Sequence, residues 1–246
     1  RLLISDFWKG NAPFPDAERA LRAWREAGGL IAGYFVIHDG RPVQDHFQEA
    51  KTCAGPEWQS LCFVAIDCEV DTVTSAMVRE AAALVQADGL RPVVYTGKGF
   101  WTGHVGNAQD CSDLPLWNAS YPEDASVAFP ANLGAPSYGG WISCVGHQRQ
   151  RSHDVNGVTV DLNTFDDTWV TAGVKPNNIP VPDQGGPPAQ TSWPVAGGQA
   201  KWPVFRGSAG HIADRQGAAF DLCLDRGAGT DWLALAEATC VGRGDD

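Results

Sequence analysis

The sequence predicts an α/β protein: a (β/α) barrel of the TIM type followed by a small C-terminal module. Apolar, strand-like runs alternate with helix-like runs through residues 1–173, which is the rhythm of parallel βαβ units. Hydrophobic residues make up 43% of the 246, which is enough for a full core. After Val174 the composition changes, because residues 175–198 are rich in Pro, Gly, Asn and Gln, as linkers are.

Helices are predicted where apolar residues recur three and four positions apart. In residues 15–29 these positions are Ala17, Ala20, Leu21, Trp24 and Ala27, and Gly28 and Gly29 end the helix. Two further helices are predicted at 43–54 and 75–89. Strands are predicted at the apolar runs 1–5, 30–38, 61–67, 91–97, 114–121, 138–148 and 157–165.

Seven strands are one fewer than a complete eight-unit barrel contains. Either the barrel lacks one βα unit, or residues 1–5 form its second strand and the first is absent from this chain. The alternative fold is an open doubly wound sheet, but no glycine-rich phosphate loop follows the first strand. The predicted domains are the barrel (1–173), the linker (174–198) and a module or the start of a further domain (199–246), since about 45 residues cannot bury much core alone.

Charge and motifs exclude several functions. A net charge of −11 argues against nucleic acid or an anionic membrane as partner, because both need Lys and Arg to neutralise phosphate. No apolar run approaches the roughly 20 residues of a membrane span. The six histidines form no HExxH pair, so they are predicted as surface or core residues, and neither metal nor cofactor is expected. The chain opens with Arg1 rather than Met, which predicts a processed or trimmed protein.

Seven cysteines give an odd count with no CxxC pair. Cys53 with Cys62, and Cys223 with Cys240, are close enough in sequence to form disulfides. A short module gains most from a disulfide, which slightly favours the second pair. The sequence leaves the pairing open.

In the stretch FVAIDCEVD (63–71), an apolar strand is followed by three carboxylates on alternate residues, Asp67, Glu69 and Asp71. Asp67 and Glu69 lie on one strand face if the strand continues, about 7 Å apart at Cα. Asp161 ends the apolar run GVTVD in the same manner. Since the carboxyl ends of barrel strands form the active-site face, these three indicate an acid/base constellation suited to glycoside cleavage. Asp71 or Thr72 is better explained as a cap of the helix at 75–89.

An ordered set of motifs runs through residues 15–170: Gly33 and Tyr34 of a Gly-x-Tyr strand, HFQEA (46–50), Asp67-Cys68-Glu69 for Asp-x-Glu, Pro92–Thr96, Trp117, Ala119 and Tyr121 of W-x-A-x-Y, Gln148, and Val160–Phe165 for V-D-x-N-x-F. With these motifs the chain resembles glycoside hydrolase family 25, the lysozymes that cut peptidoglycan. The chain departs from the family at three places. Phe35 follows Tyr34 where His is common, His147 replaces a Trp before Gln148, and Asp6 in LLISDFWKG is out of register with D-x-S-x-W-Q-G.

The resemblance implies an extracellular or virion-associated enzyme that hydrolyses the N-acetylmuramyl β-1,4 linkage. It implies Glu69 as general acid, with Asp67 and Asp161 tuning it, stabilising positive charge or orienting water or the N-acetyl group. Substrate would be bound by Tyr34, Tyr95, Trp117, Tyr121, Gln148 and Asp6. Trp101 is equally well explained as a sugar platform or a packing residue. The alternative is a non-catalytic barrel that serves a larger assembly, such as a phage tail, beside other subunits.

Overall fold

The computed structural model describes residues 2–121, 135–155 and 158–174, and a four-residue strand at 210–213. The strands are β1 (Leu2–Trp8), β2 (Leu30–Val36), β3 (Val64–Asp67), β4 (Pro92–Gly97), β5 (Leu116–Ala119), β6 (Gly146–Val155), β7 (Val158–Phe165) and β8 (Gly210–Ala213). The helices are α1 (Ala17–Glu26), α2 (Val43–Ala54), α3 (Ser75–Ala87), α4 (Lys98–His104) and α5 (Asp167–Ala172), with a 3₁₀ turn at Gly55–Ser60.

The eight strands form one sheet in the order β7-β6-β5-β4-β3-β2-β1-β8. Strands β1 to β6 pair in parallel with their neighbours, whereas β7 and β8 run antiparallel to β6 and β1. The two outer strands, β7 and β8, approach within 8 Å at Cα, so the sheet is strongly curled. The molecule is therefore a mixed α/β fold with a curled, half-barrel sheet.

Both faces of the sheet are buried, as the near-continuous apolar runs of the strands require. Leu2, Ile4, Phe63, Ala65 and Trp117 belong to a cluster on the concave face. Alternate residues of the same strands join a larger cluster with the helices, which includes Leu3, Phe7, Ile31, Phe35, Ile66, Phe47 and Trp58. The period of two along each strand thus divides one apolar run between two cores.

The last two predicted strands do not form a parallel pair. Residues 146–155 and 158–165 form an antiparallel hairpin, and β6 begins only at Gly146 rather than at 138. Two intervening residues are far too few for the crossover that parallel strands need. The repeating βα rhythm therefore stops after β5. Gly210–Ala213, from the segment predicted as a C-terminal module, adds β8 to the edge of β1; the domain boundaries remain a prediction.

Helix α3 is capped by a different residue from the two predicted. Thr74 is the N-cap, and its hydroxyl accepts a 3.3 Å hydrogen bond from the Met77 backbone N–H. Asp71 is exposed and lies 3.4 Å from the His104 ring, while the Thr72 hydroxyl accepts from the Asp39 N–H. The prediction that Asp71 or Thr72 caps this helix is wrong, because the chain turns two residues later.

A buried histidine fixes the end of β1 beside β2. Trp8 Nε1 donates to His46 Nδ1 at 2.8 Å, and His46 Nε2 lies 3.1 Å from the carbonyl oxygen of His38. His38 Nε2 in turn lies 2.7 Å from the Gly10 carbonyl. Burial lowers the pKa of His46, which favours the neutral ring that these contacts need. His46 is a core residue, as predicted.

The five cysteines in the described part of the chain form no disulfide with one another. Cys53 and Cys62 are among them, so the first of the two bridges considered is not formed. Cys223 and Cys240 lie outside the described residues. Burial raises the pKa of Cys111 to about 12, which keeps this thiol protonated. None of the helices in the described part of the chain has both the length and the apolar character that crossing a membrane requires.

Candidate active site

The carboxyl edge of the curled sheet gathers the predicted site residues. Asp6 lies near the end of β1 and is paired in register with Tyr34 of β2. Asp67 ends β3 and is paired with Tyr95 of β4. Because the strands are parallel, their carboxyl ends meet at one edge, and these four side chains come together. Gln148 of β6 and Asp161 of the returning strand β7 complete the set.

Glu69 lies just beyond β3, in a turn held by two hydrogen bonds. Its backbone N–H donates to Asp67 Oδ1 at 2.9 Å. Its own side chain accepts, at Oε1, a 2.8 Å hydrogen bond from the Gly97 N–H at the end of β4. A Cβ added at Gly97 would lie 3.3 Å from Glu69 Oε1 and 3.0 Å from the Ala119 carbonyl oxygen. Because residue 97 is a glycine, the backbone at the end of β4 can hold the carboxyl group of Glu69, which follows the neighbouring strand β3.

Burial is the main cause of the raised pKa of Glu69. The hydrogen bond from Gly97 and the positive charge of Arg151 oppose it by favouring the carboxylate. Two causes can keep a carboxyl group protonated at this site, the negative charge of a neighbouring carboxylate and burial. For Glu69, burial is the larger of the two.

Asp67 has its pKa raised to about 7, again chiefly by burial. The Glu69 N–H lowers it, whereas the negative charges of Glu69 and Asp6 raise it. Asp6 behaves in the same way: it is buried, and its pKa is raised to about 7 despite Lys9 and a hydrogen bond from Tyr34. Asp6 Oδ1 has no hydrogen-bond partner among the described residues. The floor of the site therefore holds carboxyl groups that titrate near neutral pH rather than near pH 4.

Gln148 links the two sides of the site. The Tyr95 hydroxyl donates to Gln148 Oε1 at 2.6 Å, and the Tyr121 hydroxyl donates to the same oxygen. Gln148 Nε2 donates to Asp161 Oδ2 at 3.0 Å. Gln148 is only 2% exposed, so it orients the two tyrosines and Asp161 from below. Tyr121 is 39% exposed and offers its ring to a ligand.

Two tryptophans that were candidates for sugar stacking are core residues. Trp117 is 1% exposed; its ring packs on Tyr95 at 4.7 Å between centroids, and its Nε1 donates to Asn163 Oδ1 at 2.9 Å. The prediction that Trp117 lines the groove is wrong in this structure, since no ring face is open to a sugar. Trp101 is fully buried against Trp141, which settles its open assignment as packing.

Two residues of the site were missed from the sequence. Gly97 is the last residue of the strand predicted at 91–97 and had no functional assignment. Arg151 on β6 places its guanidinium carbon 5.4 Å from the centroid of the Tyr121 ring. Alternation along a strand predicts which face a side chain lies on only while the pairing with the next strand is regular. The pairing of β6 with β7 shifts register between Gln148 and His153, so the face on which Arg151 lies could not be predicted from the sequence. Among the described residues, no group of three or more His, Cys, Asp or Glu is arranged to hold a metal ion.

Buried, protonatable carboxyl groups at the carboxyl edge of a curled parallel sheet, flanked by tyrosines and an amide, define a glycoside hydrolase type of site. The sequence family agrees with this class. The family model for glycosyl hydrolases family 25 matches residues 17–158, more than half of the chain. The protein belongs to glycosyl hydrolases family 25.

Two curated relatives come from Dictyostelium discoideum. The chain is 33% identical over 174 residues to "Probable GH family 25 lysozyme 3", covering 66% of this chain and 35% of that protein. It is 34% identical over 88 residues to "Counting factor 50", covering 36% of this chain and 28% of that protein. The chain thus spans about a third of the length of the curated relatives it matches.

Among solved structures, the CTP1L endolysin has a similar fold. The match has a TM-score of 0.55 at 18% identity and covers 69% of this chain and 59% of that one. At this level of identity the likeness concerns the fold alone. It agrees with the mixed α/β architecture and curled sheet described above.

Proposed function

We propose that the protein is a muramidase, a lysozyme that hydrolyses the N-acetylmuramyl β-1,4 linkage in the glycan strands of peptidoglycan. The observation that carries the proposal is the position of Glu69. Its carboxyl group is buried, has a raised pKa, and is fixed by the Gly97 N–H two residues after Asp67. A carboxyl group that is fixed in position and has a raised pKa is what a general acid needs.

Glu69 would donate its proton to the oxygen that leaves the cleaved sugar. One carboxyl oxygen, Oε1, is committed to the Gly97 N–H, which leaves Oε2 to carry the proton. The burial that raises the pKa of Glu69 favours the protonated form, which is the form that can donate. The hydrogen bond to Gly97 becomes stronger once Glu69 is ionised, so it stabilises the carboxylate that the transfer leaves behind.

Asp67 would stabilise the positive charge that develops on the sugar, or orient a water molecule or the N-acetyl group of the substrate. Its Oδ1 is held by the Glu69 N–H, so the two carboxyl groups keep a fixed relation. Since the negative charge of Glu69 raises the pKa of Asp67, the pH–activity profile will report the behaviour of the pair rather than of either residue alone. Asp6 lies within electrostatic reach of Asp67 and belongs to the same titrating group.

The remaining side chains would shape the sugar groove. Tyr34, Tyr95 and Tyr121 surround the acidic residues. The buried Gln148 side chain orients Tyr95, Tyr121 and Asp161 through its hydrogen bonds. The close approach of β7 and β8 supports a barrel-like closure of the sheet beneath the groove. Peptidoglycan as substrate would place the protein's action outside the cell, at the wall.

The alternative is a non-catalytic barrel that binds the wall or serves a larger assembly such as a phage tail. Part of its motivation was the departure from the family pattern at Phe35 and His147. Phe35 lies in the core with the helices, and His147 Nε2 lies 2.8 Å from the Ser120 carbonyl, so neither replacement removes an acid from the site. This supports the enzyme over the alternative.

One comparison tests both proposals. The purified protein and its Glu69→Gln variant are incubated with cell walls, and loss of turbidity and new reducing ends are measured. We expect hydrolysis by the wild type and at least a roughly thousandfold loss in the variant, with folding and wall binding retained. Hydrolysis retained by Glu69→Gln would remove Glu69 from the mechanism. Wall binding without hydrolysis by the wild type would favour the non-catalytic alternative.

A further inference from the structure

Arg151 stands at the rim of the site. It lies on β6 and is exposed, and its guanidinium carbon is 5.4 Å from the centroid of the Tyr121 ring. Tyr121 is itself fixed, because its hydroxyl donates to the buried Gln148. An arginine on an anchored aromatic face is held in place while its edge nitrogens stay open to a ligand.

The positive charge of Arg151 lies beside a site that is otherwise acidic. The site contains Asp6, Asp67, Glu69 and Asp161, and the whole chain carries a net charge of −11. Arg151 lowers the pKa of Glu69 and of Tyr121, so its field reaches the acid group. No carboxylate of a described residue forms an ion pair with it, unlike Arg19, Arg25 and Arg79.

A site lined with carboxyl groups repels an anionic substrate unless a cation compensates at the point of contact. Arginine presents two parallel N–H groups that match a carboxylate, which makes it the usual residue for reading that group. We propose that Arg151 is a specificity residue that binds a free carboxylate on the glycan, next to the cleaved linkage, with the Tyr121 ring beneath the sugar that bears it. This rests on the proposed glycan-cleaving function and narrows its substrate class to acidic glycans.

Two groups of peptidoglycan could supply the carboxylate. One is the lactyl group of N-acetylmuramic acid, which is a free acid only where the stem peptide has been removed. The other is a carboxylate of the stem peptide itself. The chemistry recognised by the guanidinium is the same in both cases, and the choice of ligands in the experiment distinguishes the sources.

Binding is measured by calorimetry in the full chain carrying Glu69→Gln, which prevents turnover. The ligands are peptide-free glycan strands, the same strands with every carboxylate converted to a methylamide, and strands with intact stem peptides. We expect peptide-free strands to bind about tenfold tighter than the methylamide strands. Adding Arg151→Met should abolish that difference. Weaker binding of intact strands than of peptide-free strands identifies the lactyl carboxylate alone, whereas equally tight binding of intact strands that is lost in Arg151→Met shows that a carboxylate of the stem peptide is accepted as well.

Arg19→Met is the matched control. Arg19 is an exposed arginine on α1 that pairs with Asp16 at 2.6 Å, and its removal changes the net charge by the same amount. The control should keep the tenfold preference, while Arg151→Lys, which keeps the charge without the planar fork, should retain part of it. Equal affinity of the Glu69→Gln protein for free and amidated strands, or a preference that survives Arg151→Met, would overturn the inference.

The proposed function is judged separately. If the wild type cleaves no glycan but the carboxylate preference depends on Arg151, the muramidase proposal fails and the inference about Arg151 stands. If the wild type cleaves free and amidated strands with equal kcat/KM, the enzyme stands and the inference fails.

Discussion

The carboxyl group of Glu69 is held by the backbone N–H of Gly97, at 2.8 Å. A backbone donor at the end of a strand has little freedom to move, so it fixes the acid without a further ordering cost. The relationship also explains why a glycine ends β4. Any larger residue would bring its Cβ to 3.3 Å from Glu69 Oε1 and 3.0 Å from the Ala119 carbonyl.

Gly97→Ala should therefore impair catalysis more than folding. The added methyl group has to displace the carboxyl group of Glu69 or the strand β5 beside it, and a displaced acid transfers its proton poorly. We expect kcat/KM to fall by about tenfold to a hundredfold, with a loss of unfolding free energy of about 1–2 kcal/mol. Initial rates on cell walls and urea unfolding on the same preparation measure both.

Gly99→Ala is the control for this substitution. Gly99 lies in α4, two residues away, and a Cβ there meets nothing within 4 Å. This variant should keep its activity and gain slightly in stability, since alanine favours the helix. An equal loss of activity in both variants would show that Gly97 acts through the stability of α4 and not through Glu69.

The role of Asp161 can be separated into charge and hydrogen bonding. Asp161 accepts from Gln148, and burial rather than the charge of Asp161 raises the pKa of Glu69. Asp161→Asn keeps an acceptor and should leave the alkaline limb of the pH–activity profile unmoved. Asp161→Ala removes the acceptor and should reduce the rate and cost about 1 kcal/mol of stability.

The pH profiles and melting temperatures of the two Asp161 variants give the measurement. A lowered alkaline limb in Asp161→Asn would mean that the negative charge of Asp161 helps to keep Glu69 protonated. An unchanged rate in both variants would remove Asp161 from the site.

Asp6 should make stability depend on pH between about 4 and 7. Its folded pKa of about 7 exceeds the ordinary value of 3.8, so the folded state binds the proton more tightly. The stability that this group contributes is complete below pH 4 and is lost as the pH rises through 7. Asp6→Asn cannot ionise and should therefore gain on the wild type by roughly 2–4 kcal/mol between pH 4 and pH 8.

Urea unfolding of wild type and Asp6→Asn at pH 4.5, 6 and 8 measures this difference. Lys9, Tyr34 and Asp67 face Asp6 and influence its ionisation. Asp45→Asn, on the exposed face of α2, is the matched control, and its stability relative to wild type should not change with pH in this way. A constant difference between Asp6→Asn and wild type at all three pH values would mean that Asp6 is ionised throughout.

The N-cap of α3 gives a test of the fold itself. Thr74→Ala removes the hydroxyl that accepts from the Met77 N–H and should cost about 1 kcal/mol of unfolding free energy. The sequence favours Asp71 or Thr72 as the cap. Asp71→Ala should nevertheless cost much less, because the Asp71 side chain is 80% exposed in its pair with His104. Equal losses in chemical unfolding would return the capping role to Asp71.

Strand alternation and position along the chain were sufficient to find Asp67, Glu69 and the helices α1 to α3. They were insufficient where geometry depends on a turn. Glu69 does not continue β3; it turns back so that its N–H bonds Asp67 Oδ1, and the predicted extended spacing does not apply. Nothing in a strand pattern specifies such a turn, because the same residues could continue the ladder.

The aromatic residues show a second limit. Trp117 lies on the concave face, as its position in β5 predicts. Whether its ring is accessible to a ligand depends on the side chains that pack against it from other strands. Phe165 and Tyr95 close over it, and only the three-dimensional curl of the sheet brings them there. Sequence periodicity gives the direction of a side chain and not the depth at which it lies.

Strand β8 has a consequence for how the protein can be shortened. All seven residues of β1 are buried, and Gly210–Ala213 occupies the free hydrogen-bonding edge of its first half. A fragment ending at Val174 would leave that edge of an apolar strand unpaired and open to other copies of itself. Such a fragment should self-associate through β1, so ending the expressed protein at Val174 would favour aggregation even though every residue of the acid site is retained.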